Sequence, residues 1–234
     1  MPSTPETAIA WTRSLGLVGY DDAVSVMEQR AQAIAEERAC EGVWLLEHPP
    51  IYTAGTSAKA QDLIQPVSLP VFETGRGGQY TYHGPGQRVA YVMLNVRSRF
   101  GNDVRGFVKG LERWIIDALA TLGVKGRTID GRIGVWIDVP GQQEAKVAAL
   151  GIRVRRGVSF HGISLNIDPD MSDYAGIVPC GISDRSVTSL AALGISASMN
   201  DVDRALRNAF EHRFGLTFNA PDMRSDISII RREP

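Results

Sequence analysis

Apolar residues recur at Tyr20, Ala23, Val24, Met27, Ala31, Ile34 and Ala35, one face of a 3.6-residue period. That spacing predicts a helix over 20–39, with Asp21 as its N-cap. Gly42 closes it, and the continuous apolar run 43–46 reads as a buried strand stopped by His48-Pro49-Pro50. Residues 52–66 read as irregular connection, and 71–73 as a short strand. Residues 75–86 form a glycine-rich loop with a strand-like middle, followed by a strand over 88–96. A second helix is predicted over 103–122, with Val104, Phe107, Leu111, Trp114, Ile115, Ala118 and Leu119 on its inner face and Gly123 as its stop.

Beyond Gly123 the period becomes two. Segments 134–138, 145–155 and 158–166 read as successive strands, the last two joined by a tight turn at Arg156-Gly157. Helices are predicted over 186–193 and over 201–214, the latter capped by Asn200. No repeat, low-complexity tract or compositional break divides the chain, so one domain over 1–234 is expected. Helices and hairpin-linked strands alternate irregularly, which predicts an α/β domain with mixed β-sheets flanked by helices and argues against a purely parallel doubly wound sheet.

The 234 residues are 44% hydrophobic and 22% charged, and the formal net charge is −1. A basic face, the footprint of nucleic-acid binding, is not implied. Local basic clusters at Arg153, Arg155, Arg156 and at Arg231, Arg232 read either as solvated faces or as a landing site for an acidic protein partner. The two cysteines, Cys40 and Cys180, are too few for a disulfide scaffold, so a reduced intracellular setting is expected. The first residues do not read as a signal peptide, and no apolar run approaches the ~18 residues of a membrane span. A monomer is the default expectation.

Four segments carry candidate chemistry. Arg76 to Gln87 holds four glycines, a proline, an arginine and a histidine. Glycines admit close approach of backbone to ligand, so the loop reads either as a binding loop for an elongated substrate or as tight turns around a hairpin. It does not match the dinucleotide or P-loop patterns. In Gly176-Ile177-Val178-Pro179-Cys180-Gly181-Ile182 the cysteine sits between proline and glycine. Cys180 is then either a small core residue or a nucleophile, whose thiolate a nearby cation would favour. Cys40, at the end of an alanine-rich helix, reads as structural. Lys146 is the lone charge in the apolar start of a strand, Ala145 to Gly151. It either snorkels to solvent or sits partly desolvated beside a pocket, with a lowered pKa suited to proton transfer. His161 should share a strand face with Ile163 and Leu165, as an inward core or pocket histidine. His83, His161 and Cys180 lack the usual zinc-ligand spacings, so no metal is expected.

Together and in this order, these segments resemble the lipoyl(octanoyl) transferase family of lipoate biosynthesis. The resemblance runs from about Trp44 to Leu190 and rests on the Arg76–Gln87 loop, the Lys146-Val147-Ala148-Ala149-Leu150-Gly151 strand, the His161-Gly162…Asn166 strand and the Pro179-Cys180-Gly181 turn. It implies a biotin/lipoate protein ligase-like fold and an acyltransferase. The enzyme would take octanoyl from octanoyl-acyl carrier protein and hold it as a thioester on Cys180. It would deliver the acyl group to a lysine of the lipoyl domains of 2-oxoacid dehydrogenase complexes or of the glycine-cleavage H protein. Lys146 matches the acid/base lysine. Arg76, Gly77, Gly78, Gln79, Tyr80, Thr81, Tyr82 and His83 match acyl-substrate positions, as do Ala149, Leu150, Gly151, Gly162, Ile163 and Ser164. His161 and Asn166 are further pocket candidates. No cofactor is implied, because the thioester is already activated. Oxyanion donors are expected from backbone N–H groups at Gly77-Gly78 or around Cys180-Gly181. Gly75, where the family often has an acidic residue, and Ser183-Asp184 depart from the pattern without touching the nucleophile or the lysine. An ATP-dependent lipoate or biotin ligase would need a nucleotide site and no cysteine nucleophile, and the Pro179-Cys180-Gly181 turn argues against it. A non-catalytic module that holds acylated carrier is the other alternative.

Overall fold

Strands that read as unbroken apolar runs lie in the middle of a sheet covered on both faces, the arrangement in which alternation disappears from the sequence. The structure, a computed structural model, describes residues 8–66, 69–139, 144–178 and 187–225. In chain order these form β1 (Ile9–Leu17), α1 (Tyr20–Ala35), β2 (Gly42–Glu47), β3 (Ile51–Ala54), β4 (Val71–Glu73), β5 (Tyr80–His83), β6 (Gln87–Met93), α2 (Val96–Phe100) and α3 (Val104–Thr121). There follow β7 (Gly126–Ile129), β8 (Arg132–Ile137), β9 (Ala145–Arg155), β10 (Val158–Asn166), α4 (Met199–Phe214) and β11 (Thr217–Asn219).

The large sheet has the order β11-β1-β2-β6-β10-β9-β8-β7, and a small one has the order β4-β3-β5. Pairing is parallel along β11-β1-β2 and antiparallel from β2 to β7, so the sheet is mixed, as the irregular alternation of elements predicts. Val43, Leu45, Ala90, Val92, Ile163 and Leu165 face α3 and α4 with Phe107, Leu111, Trp114 and Phe210. Trp44, Leu46, Val89, Tyr91, Met93 and Phe160 face α1 with Ala23, Met27 and Ile34. Helix α3 buries Phe107, Leu111, Trp114, Ile115, Ala118 and Leu119 as its period predicts, but Val104 is exposed at 40%.

Several boundaries differ from the sequence reading. Helix α1 stops at Ala35, because Glu37 takes a left-handed φ of 57° and no glycine announces that turn. Its N-cap is Gly19, with no side-chain cap from Asp21. Residues 52–66 are not all irregular: β3 pairs with β5, and a 3₁₀ turn spans Ala60–Asp62. The predicted strand 88–96 gives way to α2, capped by Asn95. In place of a helix over 186–193 the described residues hold an isolated bridge at Val187 and a 3₁₀ turn, Ala191–Leu193. Helix α4 is capped by Ser198 in a capping box with Asp201, not by Asn200. β1, β7 and β11 escape the pattern, since their burial is set by partners far along the chain. Cys40 is exposed, and Arg30 Nη2 lies 3.0 Å from its sulfur. Among the described residues no helix is long and apolar enough to cross a membrane.

Candidate active-site cleft

Strands β9 and β10 and the Arg76 loop form one wall of a cleft of about 1570 Å³, and α3 with β7 and β8 forms the other. Arg76, Gly77, Gly78, Gln79, Tyr80, Thr81, His83, Lys146, Ala149, Leu150, Gly151, His161, Gly162, Ile163, Ser164 and Asn166 all line it. Tyr82 does not: it is buried in a separate cluster with Tyr52 and Ile177, its ring edge-on to Tyr52 and Tyr174. Cys180, with Pro179 and the residues up to 186, lies outside the described residues. The chain on either side of that stretch is tethered. Val178 N–H donates to Asp62 O at 2.8 Å, and Ile177 bridges Leu63. On the far side Val187 bridges Lys146 in parallel, and Thr188 N–H donates to Lys146 O at 2.9 Å.

Lys146 reaches the cleft through an irregularity of β9. Val135 pairs with Ala148, but Trp136 pairs with Lys146, so the lysine strand carries one extra residue, a bulge that re-aims side chains. Lys146 is buried at 7% exposure. Its Nζ lies 4.7 Å from the centre of the Trp136 ring, a cation–π contact worth about 0.5–2 kcal/mol. Beside it Glu112, on α3, is also buried and accepts the Gly134 N–H at 3.0 Å. Burial pushes the Glu112 carboxyl up, against the opposing pull of that N–H and of the Lys109 and Lys146 charges.

A chain of buried polar groups backs the Arg76-loop side of the cleft. Arg76 Nη2 donates to Thr53 O at 2.8 Å and to Thr53 Oγ1 at 2.7 Å. Thr53 Oγ1 is 3.3 Å from His83 Nε2, and His83 Nδ1 is 2.7 Å from Gln87 Oε1. Gln87 Nε2 donates to Asn166 Oδ1 at 2.9 Å, and Asn166 Nδ2 donates to Thr188 O at 3.0 Å. The chain thus ends on the residue hydrogen-bonded to Lys146. His48 Nδ1 faces the Val18 carbonyl at 2.6 Å, so that nitrogen carries the hydrogen and Nε2 accepts from the Tyr91 hydroxyl at 2.6 Å.

The three buried histidines, His48, His83 and His161, are held neutral. His48 is lowered to about 4 and His161 to about 3, chiefly by burial, with Arg76 and Arg153 adding to the effect at His161. His83 falls well below its ordinary value for the same first reason. His161 does not share a face with Ile163 and Leu165. Its φ is +61°, and its ring stacks on Phe160 at 5.2 Å and meets Tyr91 at 6.1 Å. Gly77 N–H donates to Ile152 O at 3.1 Å, which removes it as an oxyanion donor. The amide oxygen of Gln79 is buried with no hydrogen-bond partner among the described residues. Among those residues no group of three or more His, Cys, Asp or Glu could hold a metal.

Sequence reasoning missed Trp136, Glu112, His48, Thr53 and Tyr91. Only Glu112 left a signal there, a carboxylate next to Leu111 on the apolar face of a helix.

A mixed sheet between helices, with Lys146 and a glycine-rich loop lining one cleft, is an α/β fold shared with two solved structures. A lipoate-protein ligase A bound with ATP superposes with a TM-score of 0.71 at 12% identity, covering 95% of this chain and 94% of that one. A bi-partite lipoate protein ligase from Thermoplasma acidophilum gives 0.69 at 13% identity, covering 95% and 91%. The chain belongs to the lipoyl protein ligase A/B catalytic-domain family, whose model matches residues 19–211. Relatives named octanoyltransferase include one from Caulobacter vibrioides, 58% identical over 88% of this chain and 92% of its own length. Another, from Acidiphilium cryptum, is 54% identical over 91% and 95%.

Proposed function

We propose that this chain is a cytoplasmic octanoyltransferase that moves octanoyl from its thioester on acyl carrier protein to the target lysine of lipoyl domains, through a thioester on Cys180, with Lys146 as general acid/base. The octanoyltransferase names of relatives at 54–58% identity support the activity. The observation that carries the mechanism is the tether at Lys146: the chain returns from the Cys180 stretch directly against the lysine that lines the cleft.

In the first half-reaction the Lys146 amine takes the Cys180 thiol proton, and the thiolate attacks the acyl carbonyl. The tetrahedral oxyanion collapses, the carrier's sulfur leaves, and the Lys146 ammonium returns the proton to it. In the second, the acceptor lysine's amine attacks the enzyme thioester, loses a proton to Lys146, and the Cys180 sulfur leaves. Placed proton transfer contributes about 10²–10⁴-fold. The neutral histidines hold the Arg76 loop and cleft wall and carry no charge near neutral pH. Leu150, Ile152, Ile163 and Val89 offer the apolar lining an octanoyl chain needs. Gln79 offers an acceptor for an amide N–H of the donor's arm.

Acidic carriers and lipoyl domains suit basic surfaces. Of Arg153, Arg155 and Arg156, expected from sequence to supply one, Arg153 and Arg156 pair with Glu28 and Glu36, while Arg155 is exposed. Arg105, Lys109 and Arg113, at successive i,i+4 positions of α3, are exposed on the opposite wall of the cleft and form no ion pair among the described residues. They are the better docking cations for the acyl donor and for the lipoyl domain or H protein acceptor.

Incubation with octanoyl-carrier protein should add one octanoyl mass to the intact wild type and none to Cys180→Ser. Cys180→Ser and Lys146→Ala should each abolish transfer to a lipoyl domain with unchanged circular dichroism. Near-normal transfer by both variants, or ATP-dependent transfer of free octanoate without an adduct, would overturn the proposal in favour of a carrier-binding module or a ligase.

A further inference from the structure

We infer that Glu112, Gly134 and Trp136 form a cradle that positions the Lys146 amine. The inference rests on the reading of Lys146 as the acid/base group.

Three separate observations converge on the lysine. Glu112 interrupts the buried face of α3, next to Leu111 and among Phe107, Trp114 and Ile115. A carboxylate in such a place requires partners. One oxygen accepts the Gly134 N–H at 3.0 Å, and the carboxyl lines the cleft within electrostatic reach of Lys146. Gly134 has a φ of +131°, and a Cβ there would sit 2.9 Å from Lys146 Cε, so the absent side chain is the slot that the lysine stem fills. Trp136 stands directly opposite Lys146 in the β8–β9 register and offers Nζ its ring face at 4.7 Å. Glu112 therefore fixes the backbone against which the stem lies.

Lys109 on α3 and Lys146 on β9 face this carboxyl, and Arg105, Arg113 and Asp130 line the same cleft. Arg127 of β7 and Arg132 of β8 are paired with Asp138 and Glu144, and Arg213 of α4 with Asp117.

Glu112 moves no proton in this scheme. When the S–H bond of the attacking thiol breaks and an N–H bond forms on Lys146, the new ammonium is stabilised by the face of the Trp136 ring. When the leaving sulfur takes that proton, the neutral amine returns. Glu112 and Trp136 are positioning residues.

The test is the rate of enzyme acylation by octanoyl-carrier protein, followed by intact mass, for the full chain and for Glu112→Ala, Glu112→Gln, Trp136→Leu and Lys146→Ala. Glutamine keeps an oxygen for the Gly134 N–H, and alanine removes it. Glu112→Ala should therefore lower the acylation rate about tenfold with the donor's KM unchanged, and Glu112→Gln should restore it. Trp136→Leu supplies an independent arm and should lower the acylation rate about tenfold at unchanged KM. If Glu112→Ala folds and acylates at the wild-type rate, if Glu112→Gln acylates no faster than Glu112→Ala, or if Trp136→Leu acylates at the wild-type rate, the cradle is wrong. If Lys146→Ala itself acylates normally, the reading of the lysine as acid/base fails, and the cradle with it.

Discussion

His161 and Gly162, neighbours on β10, show how single residues shape the cleft wall. The left-handed φ at His161 turns its ring to the Tyr91 side. A non-glycine residue in that conformation costs about 1–3 kcal/mol and persists only where its surroundings hold it, here between Phe160 and Tyr91. At Gly162 the constraint is space. A Cβ would lie 1.9 Å from the Ala90 carbonyl oxygen and 3.1 Å from Tyr91 Cα, both backbone of the paired strand. Neither atom can swing aside, so Gly162→Ala should force β10 away from β6 and cost about 3 kcal/mol or more. Urea unfolding followed by tryptophan fluorescence reads this as a lower midpoint, and an unshifted midpoint would show that the strands part without strain.

Among the elements, α4 is held to the sheet by more than its apolar face. Arg88 on β6 donates through Nε to Asp203 Oδ1 at 2.8 Å and through Nη2 to Asp203 Oδ2 at 3.2 Å, with side-chain exposures of 3% and 11%. Removing one partner of such a pair strands the other charge, at a cost of about 3–5 kcal/mol. Asp203→Ala should lose that much in chemical denaturation, while Asp201→Ala, at the exposed end of the same helix, should lose only about 1 kcal/mol with its part of the capping box. Similar losses in the two variants would mean that the buried pair contributes no more than a cap. Elsewhere the β9 bulge acts at the same scale, since one added residue brings Lys146 opposite Trp136.

Across the whole molecule the buried histidines couple stability to pH. Their folded pKa values lie below the unfolded value of 6.5, at about 4 for His48 and about 3 for His161, and well below it for His83. Below pH 6.5 the unfolded chain binds protons that the folded chain refuses, so stability is full above that pH. It should fall by about 1.4 kcal/mol per pH unit for each histidine as pH drops toward its folded value. Melting temperature measured from pH 7 to pH 4.5 should decline, and His48→Gln should flatten the decline. A slope unchanged by that substitution would assign the acid sensitivity to carboxylates instead. The polar chain from Arg76 to Thr188 crosses between the small sheet and the large one, so the same acid transition should loosen the cleft.

Much of this was legible in the chain itself. The 3.6-residue period placed α1 and α3, the two-residue period with Arg156-Gly157 placed β9 and β10 to their ends, and local motifs singled out the residues that line the cleft. Periodicity reports burial along a contiguous stretch, and a motif reports local backbone needs, so both are written in neighbouring residues. What lies across the fold is not. The pairing of β1 with β11 joins segments more than two hundred residues apart, and Asp203 meets Arg88 across 115 positions. Trp136 and Glu112 come to Lys146 only when a bulge and a helix face are both in place. Such contacts depend on the sum of the packing and not on any short stretch, which is why only the tertiary structure decided them.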